Sequence, residues 1–378
     1  MSAAGASGYR PGLEGVIAGE SAICVVDPGE QTGGLLYRGY DVHQLAMRCG
    51  FEEIIWLLLR GELPTPAEAE RMRGELAAEA RLPAAVTAML RLSPKGAHSI
   101  DVLRTGVSML GEFDPEVNDP SHDANLRKAV RIIALIPSIV ANAWRINRGR
   151  ETIETDGKLA YAERLLFELN EEMPEPWLVA AVNIVLALYA EHEFNASTFS
   201  ARVTASTMAD IYAAITSAVG TLKGPLHGGA NEAAMAMLRE IGAADRAEAW
   251  VKRKFSAKER IMGFGHRVYK HGDSRVPAMR DLARSLAERF GETELIEVCQ
   301  RLESIMEREK NLYANLDLYA APVLHLMGIP AELDISIFAC ARSSGWCAHV
   351  VEQHDHNRLI RPRCLYTGPP RREMPDGK

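Results

Sequence analysis

From Val42 onward the chain repeats apolar residues at three- and four-residue intervals, and that periodicity constrains the fold more than any other feature. The stretch "FEEIIWLLLRGELPTPAEAERMRGELAAEA", which starts at Phe51, is built from Ala, Leu, Glu and Arg, all good helix formers, with Pro64 and Pro66 separating two helices. "AVRIIALIPSIVANAWRINRG" repeats the pattern and is expected to break or kink at Pro137, and "DIYAAITSAVGTLKGPLHGG" is expected to stop at Gly224 and Pro225. The expectation is a mainly α protein of many short helices. Only "SAICVVDPGEQTGGLLYRGYD", near the N-terminus, reads as strand, a small β-hairpin with apolar runs either side of Pro-Gly and Gly-Gly turns. The polar stretches "NDPSHDANLRK" and "INRGRETIETDGK" read as surface loops.

The longest apolar run, "WLVAAVNIVLALYA" from Trp177, falls short of the roughly 18 to 20 residues of a bilayer span and contains Asn183, so it reads as a buried helix and not as a membrane segment. The N-terminus shows no basic region followed by an apolar one, so neither a secretory signal nor a transit peptide is expected. Lys and Arg number 43 against 50 Asp and Glu, a formal charge of -7, which argues against a nucleic-acid or acidic-membrane binder. The six cysteines form no C-x-x-C pair or regular framework, which fits a reduced, cytoplasmic setting.

Polar residues gather at helix ends. "AEHEFNAST" holds His192, "GPLHGGANE" holds His227, "GFGHRVYKHGDSR" holds His266 and Arg275, and "YANLDLYAA" holds Asp317. "ARSSGW" and "RLIRPR" supply Arg342, Arg358, Arg361 and Arg363. His227 precedes a glycine turn that opens the helix "NEAAMAMLREIG", and the positive end of a helix keeps an imidazole neutral and able to donate one hydrogen bond. Asp317 sits between Leu316 and Leu318, an apolar setting that raises a carboxyl pKa toward general-base use, although an N-cap aspartate is the plainer reading. "IMGFGHRVYKHGDSR" has the look of a phosphate loop but lacks the third glycine of a dinucleotide fingerprint. The basic run that starts at Trp250 leads directly into it; such a run alone is usually a solvated helix face. "HVVEQHDHNR" crowds His349, Glu352, His354 and His356 together but matches no zinc-peptidase spacing, and no metal site is expected. Cys340 and Cys347, seven apart, read as packing residues on one buried helix face.

Taken together these clusters resemble the citrate synthase family: "GFGHRVYKHGDSR" fits its signature, and "GPLHGGANEA", "NLD" and the Gly345-to-Arg363 pattern follow in the family's order. The resemblance runs from about Gly12 to Pro369. It implies an almost wholly helical, two-domain fold, with a large domain at 1–225 and 327–378 and a small CoA-binding, catalytic domain at 226–326. It also implies a condensation of acyl-CoA with oxaloacetate and water, without a cofactor. Asp317 would be the base, His227 would hydrogen-bond the thioester oxygen, and His266 would polarise the ketone. His192, Arg275, Arg342 and Arg361 would bind oxaloacetate, Arg361 reaching across a homodimer. Met262, Gly263, Phe264 and Gly265, with Lys254, Lys258 and Lys270, would lie along CoA.

Where many members have an aspartate before the first histidine, this chain has Glu191, and "NLDLYAA" stands for the commoner "NVDFYSG". "YAEHEFNAST", "HGDSR" and "NLD" look more like 2-methylcitrate synthases, whereas "GFGHRVYK" and "RLIRPR" look like citrate synthases. One methylene discriminates by only about 1 to 3 kcal/mol, so use of both acetyl-CoA and propionyl-CoA is expected to be feasible. Asp334 and Ile335 occupy places where the family usually has Phe-Thr. Two readings from other classes stand beside this one: a metal-dependent hydrolase on His349, Glu352, His354 and His356, and a catalytically silent helical scaffold.

Overall fold

The computed structural model describes residues 9–26, 34–155, 158–265, 269 and 272–374. Two helices form its axis, His122–Asn147 and Asp334–Asp355, which pack against each other and are buried along most of their length. Helices Phe51–Arg60, Ser99–Gly111, Pro176–Tyr189, Ala196–Ala205 and Ile211–Leu222 pack around Asp334–Asp355. A second group, Ala230–Ile241, Ala247–Ser256, Val276–Phe290, Thr293–Lys310 and Asp317–Leu326, packs mainly within itself. It meets the first group where Ala230–Ile241 touches Asp334–Asp355 and where Val276–Phe290 touches Pro176–Tyr189.

The mainly α expectation holds, and the local signals act as anticipated between the first helices. Phe51–Arg60 ends at Gly61 in the left-handed region, and Pro66–Ala78 starts with Thr65 capping Glu68 while the Glu68 carboxylate accepts from the Thr65 N–H at 2.8 Å. Cys340 and Cys347 are buried, as packing residues should be. In the basic run, Trp250 and Val251 face the core while Lys252 and Arg253 face water.

Three expectations need correction. The helices are not uniformly short, because His122–Asn147 runs 26 residues straight through Pro137. Proline removes one N–H donor, but this segment is buried on nearly every face, and packing of that extent outweighs one lost bond. The stretch near Asn118 is a loop only as far as Ser121, which accepts from the Ala124 N–H and opens that same helix. Its polar residues are satisfied by the preceding loop: Lys128 Nζ donates to the Asp119 carbonyl at 2.6 Å, and Arg127 bonds Glu116. The N-terminal hairpin carries a third strand. Cys24–Val26 pairs antiparallel with Leu35–Tyr37, which pairs with Tyr40–Asp41 across Arg38 (φ 49°) and Gly39 (φ 88°), the left-handed pair a two-residue turn requires. The Pro28-Gly29 turn lies outside the described residues.

His122–Asn147 is the one described helix long and apolar enough to span a bilayer, and it serves here as core. The sheet is fastened to the helices by Tyr37, whose buried hydroxyl lies 3.1 Å from the Ala187 carbonyl and 2.9 Å from the Glu191 carbonyl and accepts from the Glu191 N–H. Tyr37→Phe is expected to leave that N–H unsatisfied and to cost about 1 to 3 kcal/mol in chemical denaturation. An unchanged midpoint would show that the hydroxyl does not hold the sheet to this corner.

Candidate active site

Arg342 lies in the middle of Asp334–Asp355 and is almost fully buried. Its Nε donates to the Tyr189 carbonyl at 2.6 Å, its guanidinium sits over the Phe338 ring at 4.7 Å, and its Nη1 meets no acceptor among the described residues. Burial pulls its pKa down. Tyr189 ends the Pro176–Tyr189 helix; its ring packs on Phe338 at 4.4 Å, and its hydroxyl accepts from the Asn231 amide at 2.9 Å.

His227 occupies the tight turn that joins Ile211–Leu222 to Ala230–Ile241. Its Nε2 is 2.8 Å from Ser197 Oγ, which also accepts from the Trp346 indole at 3.1 Å, and its ring edge faces Phe338 at 6.1 Å. The pKa of His227 is pushed down to about 4, first by burial and then by Arg342. Both causes favour the neutral imidazole.

Asp317 opens the Asp317–Leu326 helix, its backbone N–H donating to Asn315 Oδ1 at 3.1 Å. Its half-buried carboxyl is pushed up to about 6 by desolvation, opposed by Arg275 and by hydrogen bonding from Tyr189 and reinforced by Asp273. The shift has the direction anticipated from the apolar flanks, and Leu316, not Asp317, holds the cap position. Arg275 is buried and bound in a fork to Asp273, Nε at 2.9 Å and Nη2 at 2.7 Å; burial opposes its charge, and the Asp273 pair more than offsets this. His192 is buried, 3.3 Å through Nε2 from the Tyr269 hydroxyl, with the rings edge to face.

The glycine loop before His266 is joined to the segment that carries Asp317. Gly265 N–H donates to the Tyr313 carbonyl at 2.9 Å, Asn315 N–H to the Gly263 carbonyl at 3.0 Å, and the Asn315 amide to the Gly265 carbonyl at 3.1 Å. Only glycine fits at Gly263: φ is 81°, and an added Cβ would stand 2.9 Å from Leu318 Cβ. Met262, Phe264 and Gly265 are half-buried beside it.

Not every expected residue reaches this cluster. His266 and Lys270 lie outside the described residues. Lys254 is committed to Glu259 at 2.7 Å and to the Trp250 ring, Lys258 is exposed, and Arg361 is exposed on the extended tail that follows the last helix. The proposed metal cluster does not converge: His349 bonds Glu191 and Arg202, Glu352 bonds Arg202 and the Ala22 N–H, His354 bonds Asn125 and the Ala209 carbonyl, and His356 is exposed. No group of three or more such side chains able to hold a metal occurs among the described residues. Asp334 is buried with Oδ1 unpartnered among the described residues, and its pKa is pushed up to about 8 by burial and by Glu232 and Glu332.

The sequence reading missed Tyr189, Ser197, Asn231, Asp273 and Phe338. Four of these flank or sit inside the recognised clusters, and Phe338 lies four residues before Arg342 on the same helix.

A family profile described as "Citrate synthase, C-terminal domain" matches residues 12–363. The chain belongs to the citrate synthase family. Among its relatives, citrate synthase 2 of Bacillus subtilis (strain 168) is 45% identical over 365 residues, 96% of this chain and 97% of that protein. A 2-methylcitrate synthase of Mycobacterium tuberculosis (strain H37Rv) is also 45% identical, over 367 residues, 97% of this chain and 92% of that one. Of solved structures, the citrate synthase of Thermotoga maritima MSB8 superposes with a TM-score of 0.87 at 38% identity, covering 97% of this chain and 98% of that one. A citrate synthase from the thermophilic archaeon Thermoplasma acidophilum, in ternary complex with carboxymethyl coenzyme A and oxaloacetate, superposes at 0.89 with 31% identity, over 96% and 97% of the two chains. The chain is accordingly an acyltransferase of this family.

The raised pKa of Asp317 has a measurable consequence for stability. A folded value of about 6 above the ordinary 3.8 means that the fold favours the protonated form, so this group's contribution is present below about pH 4 and is lost as pH rises through 6. Asp317→Asn, neutral at every pH, is expected to match or exceed the parent's melting temperature at pH 7.5, with the difference shrinking toward pH 4.5. A variant that melts lower at pH 7.5 would contradict the assigned environment.

Proposed function

We propose that the chain condenses an acyl-CoA with oxaloacetate and water, giving citrate from acetyl-CoA or 2-methylcitrate from propionyl-CoA, and releasing CoA. The observation that carries this is one polar cluster in which a carboxyl of raised pKa and an imidazole of lowered pKa stand together with two buried arginines. Environments that push two titratable groups apart in this way mark a base and a neutral donor.

Asp317 takes a proton from the α-carbon of the thioester. With Ser197 at Nε2, His227 is left Nδ1 to face the substrate; it donates that N–H to the thioester oxygen when the Ser197 hydroxyl turns its proton from Asn195 to Nε2. The enolate carbon then bonds to the ketone carbon of oxaloacetate, and the ketone oxygen, polarised by His266, takes a proton from that imidazole as it becomes a hydroxyl. Water next attacks the thioester carbon, the carbon–sulfur bond breaks, and CoA leaves as a thiol. Arg275 and Arg342, with His192, meet the carboxylates, which guanidinium forks fit better than ammonium groups. The Met262-to-Gly265 backbone lies along CoA, and Lys254, Lys258 and Lys270 are the cations assigned to its phosphates. No cofactor takes part.

The helix packing favours a division in which 226–326 forms the smaller unit against 1–225 and 327–378. Arg361, exposed on the tail, is available to serve the site of a second copy in a homodimer. Six free cysteines favour a cytoplasmic setting.

The test is thiol release from acetyl-CoA and from propionyl-CoA with oxaloacetate, with product masses determined. Release is expected with at least one thioester, rising with pH through about 6 as Asp317 ionises, and falling by about a hundredfold or more in Asp317→Asn. If neither thioester reacts, the reading fails; the ratio of the two rates assigns the acyl group.

A further inference from the structure

One fully buried carboxyl has no role in this chemistry. Glu191, directly before His192, is 0% exposed; its Oε1 lies 3.0 Å from His349 Nε2, and its Oε2 has no hydrogen-bond partner among the described residues. The proton on His349 can be placed. Arg202 Nη1, 2.8 Å from His349 Nδ1, can only donate, so Nδ1 carries the lone pair and Nε2 carries the hydrogen given to Glu191. His349 is therefore neutral and leaves the Glu191 charge uncompensated, while the Arg202 charge is met by Glu352 at 2.6 Å.

The carboxylate lies along the Asp334–Asp355 helix at the one position that admits it. An added Cβ at Gly345 would stand 2.0 Å from Glu191 Oε2. Arg342, Gly345 and His349, spaced by three and four, share one face of that helix. His349 thus holds one oxygen of Glu191, while one helical turn before Gly345 stands a buried guanidinium whose Nη1 also lacks a partner among the described residues. Of the charges acting on Arg342, that of Glu191 is the largest. The orientation of Arg342 is already fixed by the Tyr189 carbonyl and the Phe338 ring, so what Glu191 adds is charge.

We propose that Glu191 is the resident counter-ion of Arg342 in the substrate-free protein and so determines how tightly the site holds the substrate carboxylate. The inference rests on the role of Arg342 as an oxaloacetate ligand. An incoming carboxylate meets a guanidinium whose charge is partly compensated and is itself repelled by Glu191, so removal of that charge tightens binding while it weakens the substrate-free fold. A residue serving only to anchor His349 would do the second without the first.

Glu191→Gln keeps an oxygen for His349 and deletes the charge. With acyl-CoA saturating, its KM for oxaloacetate is expected to fall about fivefold, with KM for acyl-CoA unchanged. The melting temperature should fall, and added oxaloacetate should raise it by more than in the parent. Glu191→Asp, which restores the charge, should move KM back toward the parent value. A double-mutant cycle with Arg342→Gln on the substrate-free protein reads the pair directly: the stability losses should be far from additive, because charge and counter-ion leave together. If Glu191→Gln alone does not fold, the double variant is expected to fold. An unchanged or raised KM for oxaloacetate in Glu191→Gln, additive losses, or a double variant that also fails to fold would overturn the proposal. Absence of thiol release in the parent protein would instead defeat the functional reading itself.

Discussion

The charge of Arg342, held inside the Asp334–Asp355 helix, is the constraint around which this molecule is arranged. A guanidinium cannot be taken out of water without acceptors and counter-charge, and here these come from three directions: the end of Pro176–Tyr189, a ring one turn earlier on its own helix, and a carboxylate from the following segment. The helix that carries it must then be surrounded on every side, which accounts for the ring of helices packed about it. Placing a cation at the centre of the core also depresses the nearby imidazole, so the same burial that fixes the fold tunes His227.

The remaining groups arrive from helix ends. His192 follows one helix, His227 precedes another, and Arg275 and Asp317 stand at the starts of two more. Helix ends leave backbone donors and acceptors unused and so tolerate polar side chains. Asp273 fixes Arg275 before any substrate arrives, and Tyr189 joins the groups by presenting its carbonyl to Arg342 and its hydroxyl to Asn231 and Asp317.

Much of this was readable in the sequence. The helical period gave the fold class, and the clusters around His192, His227, Asp317 and Arg342 named residues that the structure does bring together. What escaped depended on contacts between distant segments. Tyr189 looks like one more apolar position in "VLALYA", and only its packing against Phe338 and Arg342, about 150 residues away, makes it central. Pro137 misled because a local rule about proline says nothing of how deeply a helix is buried. The loop reading near Asn118 failed for a similar reason, since Lys128 and Arg127 are polar but satisfied within the fold.

Asn315 deserves a last consideration. Its amide holds the Gly265 carbonyl, its side-chain oxygen receives the Asp317 N–H, and its own N–H reaches Gly263. The loop proposed to bear the thioester and the residue proposed to deprotonate it are thereby stitched into one rigid piece. Base and acyl group then share one frame, and their mutual alignment rests on the hydrogen bonds of a single asparagine.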